Sequence, residues 1–560
     1  MRVPQPSFRA RSAKRKAALC IGIGASLMIA GCSGGGKGSG AFPAIPSPTA
    51  SVVGTAKSDI ATLNWGLPYG EPNTIDPPNT GYYSSSLVSS ALCDNLLRLN
   101  ADYSITDGVA SLRQPDSRTL TLSIRKGVKF WDGSQVTPAD VVWSLEHARQ
   151  GLTGFLFRNV DTIKASGPSE VTVRLTKPDS LLPKELASFA GAVQQKSFGE
   201  KTGKALGSPA KGLMCTGPYA LKEWKPGSSI ELEKNQHYWD PAFAAKAGHV
   251  SLKFLSDSTA LTQALLSGEV DGAYEVPAAL VPALSKATSG TLTFGAPSQQ
   301  YLGLSPTRSG GPLGSPELRK AFYMTIDRKA LAKSVYHGTA NYTALNVDVW
   351  NNPTTSAAAK TVRRKAYDGF RSEGSKWGSK AALSQARSLA KKAGYQGQPI
   401  TLAVLAGDAT MNQAAVLIQA SAKEAGFNVK IRPLDPAAYA DTAANPAARE
   451  KLDLYLNVSF NVAPDPLEAT ETFLPGTYFN FIGYKNQTVI SLVARARATA
   501  DTTEQARLLT EAQSTYEKNY GFQGLVQINE ISFLKKGLGG ATASFAYLNQ
   551  PSLARIGSIK

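Results

Sequence analysis

Histidine and cysteine are rare in this chain of 560 residues, which contains only four of each. The histidines are scattered, at His147, His237, His249 and His337, and no H-E-x-x-H zinc motif, P-loop or Cys-x-x-Cys motif occurs. These absences argue against a hydrolytic enzyme, and we expect no catalytic residues, no cofactor and no metal ion held by the protein itself. Binding of a metal chelate stays open, because a chelate needs few protein ligands.

Long apolar runs are also missing. The run from Ala17 to Ala30 is too short for a good stop-transfer helix. It follows a basic stretch that ends at Lys16 and leads into small residues, which is the order of a signal peptide, here residues 1–31. Apolar residues make up 42% and charged residues 18% of the chain, as in soluble globular proteins rather than multi-span membrane proteins. The bulk of the protein is therefore predicted to fold in water.

The end of the signal sequence, Ile29-Ala30-Gly31-Cys32, resembles the bacterial lipobox. In that motif the Cys32 thiol receives a diacylglyceryl group and becomes the first residue of the mature chain. Residues 32–58 are rich in glycine and proline and are predicted to form a flexible tether. We expect an exported protein, anchored by lipid at the outer face of the cell membrane or held in the periplasm. The alternative is a plain signal peptide or an anchor helix that happens to contain a cysteine.

Acidic residues are outnumbered, with 42 Asp and Glu against 60 Lys and Arg. Six of the basic residues lie in residues 1–31, which contain no acidic residue, and the others are spread along the chain. No recognisable nucleic-acid module accompanies them. The charge therefore predicts a solvated basic surface and no nucleic-acid partner.

Two cysteines, Cys93 and Cys215, are the only ordinary thiols expected after export. An oxidising compartment makes a disulfide between them the favoured prediction, with two free buried cysteines as the alternative. A bridge closing so long a loop would stabilise the fold by about 4 to 5 kcal/mol in the chain-entropy model.

Apolar periodicity predicts an α/β protein. Alternating apolar residues predict strands at 120–124 and 171–175, and Thr137 and Ser315 precede prolines in patterns typical of helix N-termini. Residues 400–431 read as strand, helix and strand, with the helix running from Met411 to Ala425 and ending at Gly426.

Two strings are characteristic of a known family, LSIRKGVKFWDG at 122–133 and TPADVVWS at 137–144. Through them, residues 60–560 resemble the family 5 extracellular solute-binding proteins, which include oligopeptide-, dipeptide- and nickel-binding components of ABC importers. Shorter matches follow in the family's order at residues 76–77, 215–219, 235–239, 267–271, 319–321, 326–328, 393–395 and 465–466.

This resemblance implies a two-lobed periplasmic-binding-protein type II-like fold, with crossing hinge strands and an additional subdomain on the first lobe. Lobe I is predicted to comprise residues 59–85, 205–297 and 520–560. The additional subdomain is predicted at 86–204 and lobe II at 298–519. The implied function is capture of a peptide or peptide-like solute by a monomer that delivers it to ABC permease subunits.

Two sets of residues are predicted to contact the ligand. The first set comes from the resemblance and consists of Tyr82, Tyr83, Ser84 and Trp350. Residues 452–462 alternate strictly between apolar and polar, which predicts a strand that carries Ser459, Phe460 and Asn461 to the cleft. An edge strand with one wet face explains the same pattern.

One position departs from the family. Peptide-binding relatives carry an aspartate for the peptide's ammonium group where this chain has Val462. A buried ammonium without an anionic partner is costly, so recognition of a free N-terminus by the usual route is in doubt. A blocked or modified peptide, a glycoside or a metal chelate is the alternative ligand.

Replacing Cys32 with serine should abolish lipid attachment and release the protein from the membrane fraction, because no other residue supplies the modified thiol. Incorporation of labelled palmitate and detergent partitioning measure both effects. Cys20→Ser is the matched control and should leave acylation unchanged. Retention of the Cys32→Ser protein in the membrane would instead favour an anchor helix.

Overall fold

In this computed structural model, the described residues are 52–560, except 82, 344–354, 462, 472 and 478–479. The predicted signal peptide and Cys32 lie outside them, as do Tyr82, Trp350 and Val462 of the predicted ligand site.

The strands of the described residues lie partly in consecutive runs and partly between helices. In order they are β1 (Val52–Val53), β2 (Ile60–Leu67), β3 (Leu97–Leu99), β4 (Ile105–Asp107), β5 (Ala110–Asp116), β6 (Thr119–Ile124), β7 (Val160–Gly167), β8 (Glu170–Leu175), β9 (Tyr219–Lys225), β10 (Ser229–Lys234), β11 (Ala247–Phe254), β12 (Gly272–Ala273), β13 (Gly290–Pro306), β14 (Ala340–Tyr342), β15 (Pro399–Leu405), β16 (Asn428–Leu434), β17 (Leu454–Phe460), β18 (Gln523–Lys535), β19 (Leu538–Gly539), β20 (Ala541–Thr542) and β21 (Gly557–Ser558).

The α-helices are mostly of two to four turns. They are α1 (Tyr83–Leu92), α2 (Pro138–Gln150), α3 (Leu182–Glu185), α4 (Lys196–Thr202), α5 (Ser258–Ser267), α6 (Val281–Leu284), α7 (Pro316–Tyr323), α8 (Arg328–Ala330), α9 (Ala357–Gly374), α10 (Lys380–Lys392), α11 (Ala409–Glu424), α12 (Pro436–Ala444), α13 (Pro446–Arg449), α14 (Pro466–Glu471), α15 (Gln487–Ala498) and α16 (Thr502–Tyr516). The predicted α/β class is therefore confirmed.

One large mixed sheet runs through both lobes in the order β16-β15-β17-β13-β18-β12-β2-β11-β10-β9, with β14 on β18. The long strands β13 and β18 pair antiparallel at its centre. Strands β2 and β9–β12 lie on the first-lobe side of this pair, and β15–β17 lie on the second-lobe side. The two crossing strands thus connect the lobes.

A separate antiparallel sheet, β5-β6-β8-β7, lies inside the range predicted for the additional subdomain. Its buried side chains, such as Leu122 and Val173, belong to the same hydrophobic core as Trp65 and Ile230 of the first lobe. The subdomain and the first lobe therefore share one continuous core. A second core, around Phe322, fills the other lobe and also includes Leu261 and Leu284 from the range predicted for lobe I.

Local signals placed several elements correctly. Helix α2 begins after a capping box, in which the Asp140 carboxylate accepts from Thr137 N at 2.9 Å and the Asp140 N–H faces Thr137 Oγ1 at 3.4 Å. Ser315 caps α7 with its side chain alone, accepting from the backbone N–H of Leu318. Both predicted helix starts are confirmed, since side-chain caps satisfy backbone donors without help from the rest of the fold.

Two boundaries differ from the prediction. The alternating stretch at 452–462 is a strand only at β17, because its ladder to β13 runs from Leu454 opposite Pro306 to Phe460 opposite Gln300. The folded body also starts earlier than residue 59. β1 pairs with β20, so the last residues of the predicted tether belong to the fold.

The edge-strand interpretation of residues 452–462 is wrong. β17 lies between β13 and β15, and both of its faces are largely buried.

A disulfide joins Cys93, just after α1, to Cys215, just before β9, with the Cα atoms 5.0 Å apart. It lies in the core shared by the first lobe and the subdomain. The chain between the two cysteines includes the whole sheet β5-β6-β8-β7, so the bridge ties together the two chain segments that lead into and out of it.

Changing both Cys93 and Cys215 to serine should lower the free energy of unfolding by about 4 to 5 kcal/mol, since the unfolded chain loses its crosslink. Urea unfolding followed by circular dichroism measures the change. Dithiothreitol should lower the urea midpoint of the wild-type protein but leave the urea midpoint of the double variant unchanged. A wild-type midpoint insensitive to full reduction would contradict this account.

Candidate functional site

A cavity of about 470 Å³ lies between the lobes. The first lobe contributes Tyr69, Asn73 and the start of α1, and the second lobe contributes α12 and β17. The additional subdomain adds Leu152 and Phe155. Because each lobe supplies part of the wall, a bound molecule would contact both.

The structure brings five of the seven predicted ligand residues into the wall of this cavity. Tyr83 and Ser84 reach it from the first turn of α1, and Ser459, Phe460 and Asn461 reach it from the end of β17. The other two, Tyr82 and Trp350, lie outside the described residues.

Aromatic rings form one side of the cavity. Tyr69 stacks on Tyr83 with ring centroids 4.6 Å apart, and Tyr83 contacts Phe460 at the same separation. Phe545 packs behind Phe460 at 5.3 Å. Rings fixed by such contacts offer a rigid apolar surface to a ligand.

Two buried polar atoms in the wall have no hydrogen-bond partner among the described residues, namely Ser84 Oγ and Asn457 Oδ1. Both side chains are buried. A buried polar atom left unpaired costs about 1 to 3 kcal/mol, so a ligand that hydrogen-bonds to them would recover that cost. Asn457 belongs to the predicted polar set, but the sequence alone did not separate it from its neighbours as a contact residue.

Three carboxylates line the same cavity. Glu71 accepts hydrogen bonds from Trp224 Nε1 at 2.8 Å and from Gly227 N at 2.9 Å. Glu468 accepts from Ala463 N at 2.7 Å. The third, Glu471, is paired with arginine as described next. No lysine, arginine or histidine occurs among the described residues of the cavity wall.

Arg497 joins the subdomain to the second lobe. Its guanidinium lies 2.7 Å from Asp179 of the subdomain and 2.5 Å from Glu471 of α14. Arg158 adds a contact to Glu471 at 3.0 Å. Burial alone would lower the pKa of Arg497, but Glu471 and Asp179 outweigh burial and raise it. Arg497, Asp179 and Glu471 thus form a charged, desolvated contact beside the cavity, and Arg158 extends it.

A second buried group accompanies this contact. Burial and the neighbouring Glu468 raise the pKa of Glu185 well above its usual range. Lys184 meanwhile pairs with Asp465. The segment 179–185 therefore packs against residues 465–471 through the Lys184–Asp465 ion pair and the buried Glu185 carboxyl.

The histidines are distributed as the sequence suggested. His147 contacts Asp76 at 2.8 Å and His249 contacts Glu231 at 2.8 Å, far apart in the sequence and on different elements. In the part of the chain that the structure describes, no group of three or more His, Cys, Asp or Glu side chains is placed to hold a metal ion. None of the described helices combines the length and apolar character needed to cross a bilayer.

A smaller pocket opens beside the main cavity and was missed by sequence reasoning. Its carboxyl and amide residues are Glu275, Gln300, Asp408 and Asn529. The signal in the sequence is the presence of polar residues, such as Gln300 and Asn529, inside the long strands β13 and β18.

Comparison with known proteins gives one consistent result. The model of the bacterial extracellular solute-binding proteins, family 5 (middle region), matches residues 109–481. A glutathione-binding protein of Salmonella choleraesuis is 27% identical over 483 residues, which covers 83% of this chain and 89% of that protein.

Two solved structures share the fold. The murein tripeptide-binding protein of Escherichia coli superposes with a TM-score of 0.77 at 20% identity, covering 90% of this chain and 99% of that one. The protein NikA of Staphylococcus aureus, in complex with Ni(L-His)2, gives 0.73 at 19% identity, covering 87% and 98%. These matches confirm the predicted two-lobed, type II periplasmic-binding-protein fold.

Replacing Arg497 with methionine should lower the free energy of unfolding by about 3 to 5 kcal/mol, because Asp179 and Glu471 would stay buried without their partner. Urea unfolding measures the loss. Arg507→Met on α16 removes a solvent-exposed ion pair and should leave the midpoint unchanged. If both changes lowered the free energy of unfolding equally, the buried ion pairs of Arg497 would contribute no more to stability than an exposed pair.

Proposed function

Because the chain belongs to family 5 of the bacterial extracellular solute-binding proteins, we propose that it captures a peptide or peptide-like solute between its lobes and delivers it to an ABC permease. The observation that carries the proposal is the cavity whose wall is shared by both lobes. Such a site can hold a ligand firmly only while the lobes are closed, which suits capture followed by release.

The cavity's size and chemistry favour a short peptide or a solute of similar size. About 470 Å³ lies within the usual range for small-molecule sites. Aromatic rings supply apolar contact, and Ser84 Oγ and Asn457 Oδ1 supply hydrogen-bonding atoms suited to amide groups. The similarity to a glutathione-binding protein supports the same class of ligand.

Other solutes are the second candidate. The structural neighbour with Ni(L-His)2 shows that this fold accommodates a metal chelate. A blocked or modified peptide and a glycoside also stay open, since Val462, where relatives carry an aspartate, offers no anion. A hydrolytic activity is the least supported alternative, because the described residues of the cavity wall include no histidine and no cysteine.

We also propose that the protein acts as an exported monomer anchored to the membrane through lipid on Cys32. The signal-like residues 1–31 and the lipobox support export and anchoring. Two lobes that enclose a cavity within one chain support action as a monomer.

A panel of peptides with free and acetylated N-termini, glutathione, glycosides and nickel chelates should separate these ligands by thermal unfolding of residues 52–560, which contain both lobes and their cores. A ligand at one hundred times its Kd should raise the unfolding temperature by about 2 to 3 °C. Stabilisation by glycosides or chelates alone would contradict the peptide proposal.

Ala437→Trp should abolish the stabilisation, because Ala437 lines the cavity from exposed helix α12 and indole would occupy the ligand's space. Ala447→Trp, at an exposed position of α13 outside the cavity wall, is the matched control and should retain it. Ligand-induced shifts that survive Ala437→Trp unchanged would place the ligand elsewhere.

A further inference from the structure

A side pocket branches from the main cavity near the crossing strands. It encloses about 40 Å³ and shares three wall residues, Tyr69, Met411 and Val458, with the main cavity. We call Glu275, Gln300, Asp408 and Asn529, which supply its charged and amide groups, the acidic side pocket.

Four separate elements build the acidic side pocket. Gln300 lies on β13 and Asn529 on β18, the two crossing strands. Glu275 follows β12 on the first-lobe side, and Asp408 caps α11 in the second lobe by accepting from Met411 N at 2.8 Å. Both lobes and the connection between them therefore contribute polar groups to one small space.

Two amide oxygens in this pocket lack donors. Gln300 Oε1 and Asn529 Oδ1 have no hydrogen-bond partner among the described residues, although their side chains are only 1% and 7% exposed. Hydrogen bonds from the amide nitrogen fix the orientation of the Gln300 side chain, since Nε2 donates to Tyr83 OH at 3.0 Å and to Glu275 Oε2 at 2.8 Å. The same side chain thus connects the ligand cavity to the acidic side pocket.

The pocket also holds two carboxyl groups, of Glu275 and Asp408, with no basic side chain beside them in the described wall. Burial raises the pKa of Glu275 and of Asp408. Behind Glu275, burial and the Glu275 carboxyl itself raise the pKa of Glu530 well above its usual range. No lysine, arginine or histidine stands among the described residues of the pocket wall. A cation entering here would meet carboxyl groups, amide oxygens and hydroxyl groups, and no fixed positive charge, among the described residues.

The backbone at Glu275 is held in an uncommon conformation. Its φ is 55°, in the left-handed region that non-glycine residues seldom adopt. The backbone N–H of Glu275 donates to Glu530 Oε1 at 3.1 Å. Tyr547 OH donates to Glu275 Oε1 at 2.6 Å. The surrounding fold therefore holds the Glu275 carboxyl at one position.

We propose that the acidic side pocket binds a primary ammonium group of the captured solute. An ammonium group has three donors and no acceptor, which complements Gln300 Oε1, Asn529 Oδ1 and the carboxyl groups. The space is large enough for a few water-sized groups, and the apolar neck of Met411 and Val458 suits the methylene groups that carry the amine. The inference rests on the proposed function. In it, the acidic side pocket takes the place of the anionic partner that Val462 does not provide.

The ammonium can come from two places on a peptide, its N-terminus or a lysine side chain. Four tripeptides of otherwise identical sequence distinguish them, with lysine or norleucine at the central position and with a free or acetylated N-terminus. Calorimetric titration of residues 52–560 gives the Kd of each. At least one ammonium-bearing peptide should bind about ten- to a hundredfold more tightly than the acetylated norleucine peptide.

Asp408→Asn is the sharpest variant, because asparagine caps a helix as well as aspartate while removing the charge. It should remove most of the preference for ammonium-bearing peptides and leave the affinity for the acetylated norleucine peptide unchanged. Asp501→Asn, at the equivalent capping position of α16 and far from either cavity wall, is the matched control and should keep the preference.

Each outcome decides between the two proposals. Equal binding of all four peptides, or an Asp408→Asn effect equal on all four, would overturn the ammonium site and leave the peptide-binding function standing. If none of the four binds, the peptide function fails.

In that case the acidic side pocket is tested directly by comparing n-butylammonium with n-butanol. A rise in unfolding temperature with n-butylammonium only, lost in Asp408→Asn, supports the ammonium site, and no difference overturns it.

Discussion

The antiparallel pairing of β13 with β18 is the constraint on which the rest of the structure depends. These two strands carry the chain between the lobes, and the sheets of both lobes attach to their outer edges. The register of the pair shifts near Phe294, Pro297 and Tyr301, so the ladder is least regular at its middle. Hinge closure is concentrated in a few residues that absorb backbone change, and an interrupted ladder suits that role.

Polar side chains in these strands give the cleft its chemistry. A fully buried strand is ordinarily apolar, yet β18 buries Gln527, Asn529 and Glu530. Burying these polar groups is costly unless they form hydrogen bonds. Asn529 Oδ1 and Gln300 Oε1 of β13 accept no hydrogen bond from the described residues. The connection between the lobes is therefore also a place where ligand chemistry and lobe position meet.

Charge is arranged differently inside and outside. The chain as a whole is strongly basic, with a formal net charge of +18, but the described walls of both cavities contain carboxylates and no basic side chain. Where basic residues are buried beside the cavity, as at Arg497, they neutralise carboxylates across the contact between subdomain and second lobe. The described cavity walls are therefore lined by carboxyl groups, while the basic partner of Glu471 lies behind the wall.

The sequence by itself determined the α/β class, the family and the local elements. Caps such as Thr137 with Asp140, and alternation such as that of β6, depend on residues within a few positions of each other, so they are readable without the fold. The polar face at Ser459 and Asn461 was predictable for the same reason. Only the tertiary structure decided that β17 is an interior strand, that β1 belongs to the folded body, and that Glu275, Gln300, Asp408 and Asn529 meet in one pocket. These four residues span more than two hundred and fifty positions of chain and come together only through the crossing strands, and no local pattern encodes such a contact.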